Sequence, residues 1–371
     1  MKISNKHIAQ HENAISPEIV DESANDDTTP VVRYEITSYG ADYDVAGFVA
    51  RLQRNDIIIP SFQRDYVWRL PEASLFVESI LLGLPVPGVF LAKDVETNKL
   101  LVIDGQQRLK TLQFFLEGFF NPKHAAKNQK VFKLTKVSQR FDGLTFAELT
   151  EADRRNLNDY VIHATIIKQD KPSNDDTSIY HIFERLNTTG QRLSQQEIRV
   201  AVYRGLLQDL LEELNGNADW RKVFGKLHPR LKDRELILRF LAFYVDEKSY
   251  DRPLSEFLSK FAARNRNPKP QQLDDFRKLF STTIKVIYES LGAEAFRPQR
   301  ALNVAVFDSV MIGVARRLDR GSAPRNDLLK IAYYKLIKDQ NYMTAVTGAT
   351  ADKPILEQRF ALATSAFAQI K

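Results

Sequence analysis

The 371-residue sequence contains no cysteine, only two tryptophans and only three methionines. Without cysteine the chain can form no disulfide, no thiolate nucleophile and no zinc-cysteine cluster, so redox chemistry is not expected. No uninterrupted apolar run approaches the roughly 20 residues that span a bilayer, and the first thirty residues lack the apolar block of a signal peptide. These absences predict a soluble, cytoplasmic protein with no membrane partner.

Several common catalytic motifs are also absent from the sequence. There is no G-x-x-x-x-G-K-[ST] phosphate loop, no G-x-G-x-x-G dinucleotide motif, no H-E-x-x-H zinc motif and no G-x-S-x-G nucleophile elbow. Any chemistry must therefore come from a less common site.

The charge of the chain is unevenly distributed. The formal net charge is +6, but residues 1–30 hold six acids against two basic residues, so the remainder has 51 basic and 41 acidic residues, or +10. An excess of this sign favours a polyanionic partner such as nucleic acid, although many basic proteins bind none. The 43% apolar and 10% aromatic content is ample for sizeable cores.

The patterns along the chain predict three regions: a flexible acidic tail over 1–30, an α/β domain over 31–170 and a helical domain over 171–371. Predicted strands cover 57–59, 88–92, 100–103, 131–137 and 161–167, the second and third forming a hairpin. Predicted helices begin with one opened by Pro71 and one over 106–117 that stops at Gly118. Further helices are predicted over 176–186, 194–214, 230–246, 253–264, 271–291, 301–319, 325–339 and 354–369.

The sequence Asp-Gly-Gln-Gln-Arg, residues 104–108, lies where a predicted strand runs directly into a helix. Such a turn offers backbone N–H groups and the positive end of the helix dipole to an anion. Arg108 can clamp a phosphate, and Asp104 can hold a hydrated divalent metal or orient water. The alternative is that Asp104 caps the helix and Arg108 is a solvated surface charge.

Two other segments are dense in polar and aromatic residues. Ile-Pro-Ser-Phe-Gln-Arg-Asp-Tyr-Val-Trp, residues 59–68, follows a strand; Arg64 could reach a phosphate and its aromatic residues could form a stacking wall, or could simply be core. In Leu-Asn-Thr-Thr-Gly, residues 186–190, Asn187 could serve a ribose or phosphate. Beyond it, Ser194 and Glu197 predict a capping box that opens a helix, and Arg199 would face the Asn-Thr-Thr segment one helical turn in.

Taken together, these segments resemble the GmrSD N-terminal-domain family of modification-dependent restriction and phage-defence proteins. The matching motifs are I-P-x-F-Q-R-x-Y-V-W, then E-S-I-L-L-G-L-P-V-P (78–87), V-I-D-G-Q-Q-R-L-x-T-L (102–112), L-N-T-T-G and Q-E-I-R. They occur in this order over roughly residues 35–205, and the remaining helical part carries no motif that matches.

The resemblance implies an α+β N-terminal domain of ParB/sulfiredoxin-like type, followed here by an all-α helical domain whose first helices (176–205) complete the site. It implies that the Asp-Gly-Gln-Gln-Arg turn binds a nucleoside triphosphate, with Mg²⁺, and supports its hydrolysis. The implied catalytic residues are Asp104, Gln106, Gln107 and Arg108, with Asp104 as a metal ligand through water. The implied nucleotide-binding residues are Gln63, Arg64, Gly105, Asn187 and Gly190.

In the helical part, two basic clusters are candidates for contact with DNA phosphates, although such clusters are more often solvated faces. They comprise Arg221, Lys222, Lys226, Arg230, Lys232 and Arg234, and then Arg264, Arg266 and Lys269. If they bind DNA, the affinity should fall steeply with salt.

Many members of the family continue into an HNH-type nuclease domain, which requires histidines around a metal. The six histidines of this chain form no Asp-His or His-x-x-x-His pair in its helical C-terminal part; they are His7, His11, His124, His163, His181 and His228. We therefore expect an NTP-hydrolysing sensor of DNA, of modified phage DNA for example, that works with a nuclease subunit in trans or as a homo-oligomer. The alternatives are a metal-dependent nuclease that uses Asp104, and a non-catalytic interaction or regulatory subunit.

Overall fold

The computed structural model describes residues 18–21, 35–59, 66–94, 97–120, 130–171, 182 and 194–370. Within them, the strands are β1 (Ile19–Val20), β2 (Glu35–Asp44), β3 (Ile57–Ile58), β4 (Val89–Lys93), β5 (Leu100–Asp104), β6 (Phe119–Phe120), β7 (Lys130–Val131), β8 (Val161–Lys171) and β9 (Leu302–Asn303).

The helices of the same residues, numbered in chain order, are α1 (Val45–Gln53), α2 (Leu70–Leu81), α3 (Gln106–Glu117), α4 (Glu151–Asp159), α5 (Gln195–Val202), α6 (Leu206–Asn215), α7 (Ala218–Phe224), α8 (Lys232–Asp246), α9 (Leu254–Arg264), α10 (Pro270–Leu291), α11 (Val304–Leu318), α12 (Asn326–Leu336), α13 (Gln340–Thr347) and α14 (Lys353–Ala368).

The chain divides into two compact units. The sheet unit comprises Pro30–Gln208 with Ser259–Arg266, and the helical unit comprises Met1–Thr29, Asp209–Leu258 and Asn267–Lys371. The sheet unit thus continues beyond residue 170, where the composition predicts the domain boundary. The mixed α/β and helical classes expected for the two parts are confirmed.

The sheet unit is built on a five-stranded sheet with the order β2-β8-β4-β5-β3. β4 is antiparallel to β5, as the predicted hairpin requires, whereas β3 is parallel to β5. One face of the sheet packs against α1, α2 and α3, whose apolar stripes include Phe48, Val77 and Leu112. Because β3 and β5 are parallel, the chain leaves β3 toward the sheet edge at which β5 ends.

Two strand predictions need correction. The predicted strand over 131–137 pairs only at Lys130–Val131. Phe132 and Leu134 are buried as a strand pattern suggests, but Lys136 adopts a left-handed backbone, with φ of 57°, that a strand cannot contain. Conversely, β2 is missed by the sequence patterns because most of its residues are exposed, so no apolar alternation marks it.

The helical unit buries long apolar faces, and α11 is buried along almost its whole length. The predicted helices at 230–246, 253–264, 271–291, 301–319, 325–339 and 354–369 are present with small shifts of their ends, whereas 194–214 is two helices broken near Gly205. The predicted helix over 176–186 lies outside the described residues apart from Ile182.

Within the acidic tail predicted over residues 1–30, the structure describes residues 18–21, and these contact the helical unit's own residues. Ile19 and Val20 pair in parallel with Leu302 and Asn303 of the helical unit. The carboxylate of Asp21 forms an ion pair with Lys232. These contacts give the segment a fixed place, because its backbone bonds and its charge are both satisfied there.

Candidate functional site

Asp104 and Gly105 form the turn between β5 and α3. Gly105 is the residue before the helix and has a φ of 103°, a left-handed conformation that residues with a Cβ rarely adopt. A Cβ at this position would also lie 2.5 Å from Cγ1 of Val89 on β4. Glycine is therefore required twice, by backbone conformation and by the close approach of the neighbouring strand, and the start of α3 is held against the sheet.

Asp104 and Arg108 form an ion pair across the first turn of α3. The Nη2 of Arg108 lies 2.7 Å from Oδ2 of Asp104, and the side chains of Arg108 and Asp104 are 15% and 49% exposed, respectively. The Nε–H of Arg108 is buried and has no acceptor among the described residues. Among the described residues, the guanidinium is thus held at the turn by the carboxylate of Asp104, and its buried Nε–H can still donate to a further acceptor.

Gln107 holds the backbone of the neighbouring segment. Its Oε1 accepts hydrogen bonds from the backbone N–H groups of Val67, at 3.0 Å, and Trp68, at 3.3 Å. Gln106, the other predicted catalytic amide, is buried at the start of α3. The amide oxygen of Gln107 therefore acts as a tether, so that any contact it makes to a ligand must come from its NH₂ group.

A chain of hydroxyl groups continues from Gln107 into the core. The hydroxyl of Thr111 donates to the carbonyl of Gln107 at 2.7 Å and lies 2.7 Å from the hydroxyl of Tyr66. Tyr66 packs edge-on against Phe114 and Phe120, and burial raises the pKa of Tyr66 to about 12. For Tyr66 the alternative of a core aromatic residue is therefore correct, and it offers no stacking wall.

Four predicted nucleotide-binding residues, Gln63, Arg64, Asn187 and Gly190, lie outside the described residues. The described chain on either side of the first pair ends at β3, which runs parallel to β5, and resumes at Tyr66, just before the backbone tethered by Gln107. Both flanks are therefore fixed close to the elements that carry the Asp104 turn.

The capping box predicted for the helix after the Asn-Thr-Thr-Gly segment is confirmed. The backbone N–H of Ser194 donates to Glu197 Oε2 at 2.5 Å, and the N–H of Glu197 donates to Ser194 Oγ at 3.2 Å. Arg199, one turn further on, is fully buried and donates to Ser259 Oγ at 3.3 Å and to Gln196 Oε1 at 3.2 Å. These contacts give Arg199 a structural role within the sheet unit.

Several residues of the first basic cluster are engaged within the helical unit. Arg221 donates to Asp233 Oδ2 at 3.0 Å and to Asn215 Oδ1 at 2.8 Å. Lys232 is paired with Asp21 and Glu235, and Arg234 with Glu212 at 2.9 Å. The exposed members of this cluster are Lys222, Lys226 and Arg230. DNA contact by this cluster stays a prediction, and these three exposed residues are the ones that could make it.

The second basic cluster divides in the same way. Arg266 donates to Asp94 Oδ2 at 2.5 Å and to the carbonyl of Arg204 at 2.7 Å, all within the sheet unit. Arg264 and Lys269 are exposed. Sequence spacing cannot reveal the partner of Arg266, because Asp94 lies 172 positions earlier in the chain.

No group of three or more histidine, aspartate or glutamate side chains that could hold a metal ion occurs among the described residues. Within the same part of the chain, no helix combines the length and apolar composition that crossing a bilayer requires.

Comparison with known protein families gives one match that bears on this site. The model of the GmrSD restriction endonuclease N-terminal domain matches residues 45–204. Residues 45–204, which are less than half of the chain, are thus similar to the N-terminal domain of this family. The match contains the Asp104 turn, its Gln107 tether and the capping box at Ser194, whereas comparison with curated proteins gave no match.

Proposed function

We propose that the chain is an NTP-binding and NTP-hydrolysing DNA sensor in a bacterial restriction or anti-phage system, with DNA cleavage supplied by a nuclease in trans. The family match supports the restriction or defence context and DNA as a partner. The observation that carries the nucleotide site is the Gly105 turn, where no side chain fits and the start of α3 is held at the sheet edge. As the family resemblance implies, we propose that the sheet unit is of the ParB/sulfiredoxin-like type.

Phosphate binding follows from three features of this turn. The first N–H groups of a helix have no acceptor within the helix, and its dipole favours an anion at this end. Gly105 lets an anion approach the backbone closely. Arg108 is pre-positioned by Asp104, and its Nε–H has no acceptor among the described residues. A phosphate oxygen would supply that acceptor.

Hydrolysis requires a positioned water and neutralised phosphate charge. Asp104 is half-exposed and uses Oδ2 for Arg108, so its other oxygen can hold the water or a hydrated Mg²⁺. One carboxylate fits Mg²⁺, which commonly takes its remaining ligands from phosphates and water. When bound, Mg²⁺ would neutralise negative charge on the phosphates. Gln106 and Gln107, with Gln63, Arg64, Asn187 and Gly190, complete the proposed pocket.

DNA binding is assigned to the exposed members of the basic clusters. Within the helical unit these include Lys222, Lys226, Arg230 and Lys269. Contacts of this type go to the phosphate backbone, so they add affinity without sequence specificity and weaken as salt rises. We place this activity in the cytoplasm, where foreign DNA is encountered.

The proposal is tested by phosphate release from each of the four NTPs, with and without Mg²⁺ and DNA. We expect Asp104→Ala and Arg108→Ala each to lower the rate by about 100-fold or more, because Asp104 would hold the water or the hydrated metal and Arg108 would contact the reacting phosphates. The matched control is Arg155→Ala, which breaks an exposed i,i+4 ion pair with Glu151 in the same unit.

Equal rates in the Asp104 and Arg155 variants would overturn the proposal. Plasmid nicking by the purified chain without NTP, lost in Asp104→Ala, would instead identify a metal-dependent nuclease. If no NTP is hydrolysed and none raises the melting temperature, the chain is a non-catalytic interaction subunit.

A further inference from the structure

A cleft of about 500 Å³ opens on the sheet unit, away from the Asp104 turn. Its floor includes Ile58, Leu101 and Ala92, which are direct cross-strand neighbours on β3, β5 and β4. Ala201 and Val202, at the end of α5, form an opposing wall. The apolar row and the helix end therefore enclose a space of the size that small organic ligands occupy.

One side of the cleft is fixed by hydrogen bonds. Arg266 donates to Asp94 Oδ2 and to the carbonyl of Arg204, and Asp94 in turn accepts from the N–H of Thr97 at 2.8 Å. Burial acts to raise the pKa of Asp94, but the hydrogen bonds from Arg266 and Thr97 outweigh burial and hold this pKa below its usual value. The carboxylate is thus ionised and paired, and the wall is formed before any ligand arrives.

Among the described residues that line the cleft, the charges without an ion-pair partner are positive. Lys99 and Arg204 both line the cleft and are exposed, and neither side chain forms an ion pair with another described residue. Asp94, the acid among the lining residues, is offset by Arg266. Two positive charges therefore remain over an apolar floor, which favours a ligand with a negative group and an apolar body.

The cleft is distinct from the proposed nucleotide site. Leu100 and Leu101 line it at the start of β5, whereas Asp104 ends the same strand. Four residues of a strand span about 13 Å. A ligand in the cleft would therefore contact the strand that carries the catalytic turn without contacting the turn itself.

We propose that this cleft is a second ligand site, which takes a small organic anion whose apolar body lies on the Ile58-Leu101-Ala92 row and whose phosphate or carboxylate meets Lys99 and Arg204. It does not depend on the proposed NTP hydrolysis. The site is formed by residues that are far apart in sequence, on β3, β4, β5, α5 and the segment that ends at Arg266.

The experiment is calorimetric titration of the full chain with 1-naphthyl phosphate, and with 1-naphthol as the neutral probe. We expect saturable binding of the phosphate and at least about tenfold weaker binding of naphthol. The double variant Lys99→Glu/Arg204→Glu should weaken phosphate binding by about tenfold or more. Its matched control, Lys130→Glu/Arg155→Glu, makes the same charge change at exposed positions outside the cleft and should bind like wild type.

Two further variants locate the probe. Ala201→Phe fills the cleft and should abolish binding of the phosphate, and a melting curve verifies that this variant folds. If it does not fold, Lys99→Glu/Arg204→Glu, at exposed positions of the rim, still tests whether the probe binds in the cleft. Arg108→Ala should leave binding unchanged. Absence of saturable binding, equal affinity in the rim variant and its control, or loss of binding only in Arg108→Ala would each overturn the proposal.

Discussion

The two units each contain an arginine-aspartate pair, and the pairs differ in burial and in bonding. Asp104 and Arg108 share one contact at the sheet edge, with Asp104 half-exposed. In the helical unit Arg239 donates to both oxygens of Asp308, and their side chains are 2% and 0% exposed. Only the first pair can exchange a partner for a ligand without opening a core.

The helical pair lies in a wider buried network. Arg359 is 3.9 Å from Asp308, and Asp21, which follows β1, lies 3.7 Å from Arg239. Burial lowers the pKa of Arg359 to about 10, although Asp308 opposes that shift. Each buried charge of this network is neutralised by the others, so the Arg239-Asp308 pair stabilises one arrangement of the helices. In the sheet unit, by contrast, the structure gives Asp104 one ion-pair partner among the described residues, Arg108.

The largest expected effect comes from breaking the buried pair. Asp308→Ala leaves Arg239 and Arg359 without their shared carboxylate, and loss of one partner from a buried pair costs about 3–5 kcal/mol. The two tryptophans allow each unit to be followed separately, because Trp68 lies in the sheet unit and Trp220 in the helical unit. In a Trp68→Phe background, urea unfolding followed by Trp220 fluorescence should shift strongly.

The control for this measurement is Asp319→Ala, which removes an exposed acceptor of the Tyr244 hydroxyl in the same unit. A loss in Asp308→Ala no larger than in this control would show that the network does not stabilise the helical unit.

The next largest effect is expected at the Asp104 turn, from Gly105→Ala. The left-handed backbone and the contact with Val89 each oppose a Cβ, so we expect a loss of about 2–4 kcal/mol in the sheet unit. Urea unfolding followed by Trp68 fluorescence, in a Trp220→Phe background, measures this loss.

Gly118→Ala is the matched control for the Gly105 variant. Gly118 has a φ of 82°, but a Cβ added there would meet no atom within 4 Å. This substitution should therefore cost about 1 kcal/mol through backbone strain alone. Equal losses in the two variants would contradict the close-approach argument.

A smaller effect is expected from Asp104→Asn. Asp104 is half-exposed and asparagine keeps an oxygen that can accept from Arg108, so the free energy of unfolding should change by about 1 kcal/mol or less while NTP hydrolysis is lost. Unfolding in the Trp220→Phe background and phosphate release are measured on the same preparation. A stability loss as large as that of Gly105→Ala would mean that the Asp104 pair is structural, and the contrast between the two pairs would fail.

The sequence allowed the Asp104 turn, helix α3 and the Ser194 capping box to be predicted, because each depends on neighbours within a few residues. Three features could not be predicted from it. β2 lacks alternation, the role of Gln107 depends on a backbone forty positions away, and Arg266 meets an aspartate on another element. Local patterns specify turns and helix ends, whereas tethers and cleft walls depend on tertiary contacts.

The smallest predicted effect concerns the hydroxyl chain that supports Gln107, and it depends on pH. Burial raises the pKa of Tyr66 to about 12, against about 10 in the unfolded chain. As the pH rises, Tyr66 therefore loses its proton first in the unfolded state. Its contribution to the free energy of unfolding is fully present below pH 10 and is lost as the pH rises toward 12. Tyr66→Phe should remove this part of the alkaline loss, and at pH 7 it should cost about 1 kcal/mol through the lost bond to Thr111. Urea unfolding reported by Trp68 separates this effect from the buried tyrosines of the helical unit. If the free energy of unfolding falls by the same amount between pH 10 and 12 in Tyr66→Phe as in the wild type, Tyr66 is not the group that titrates.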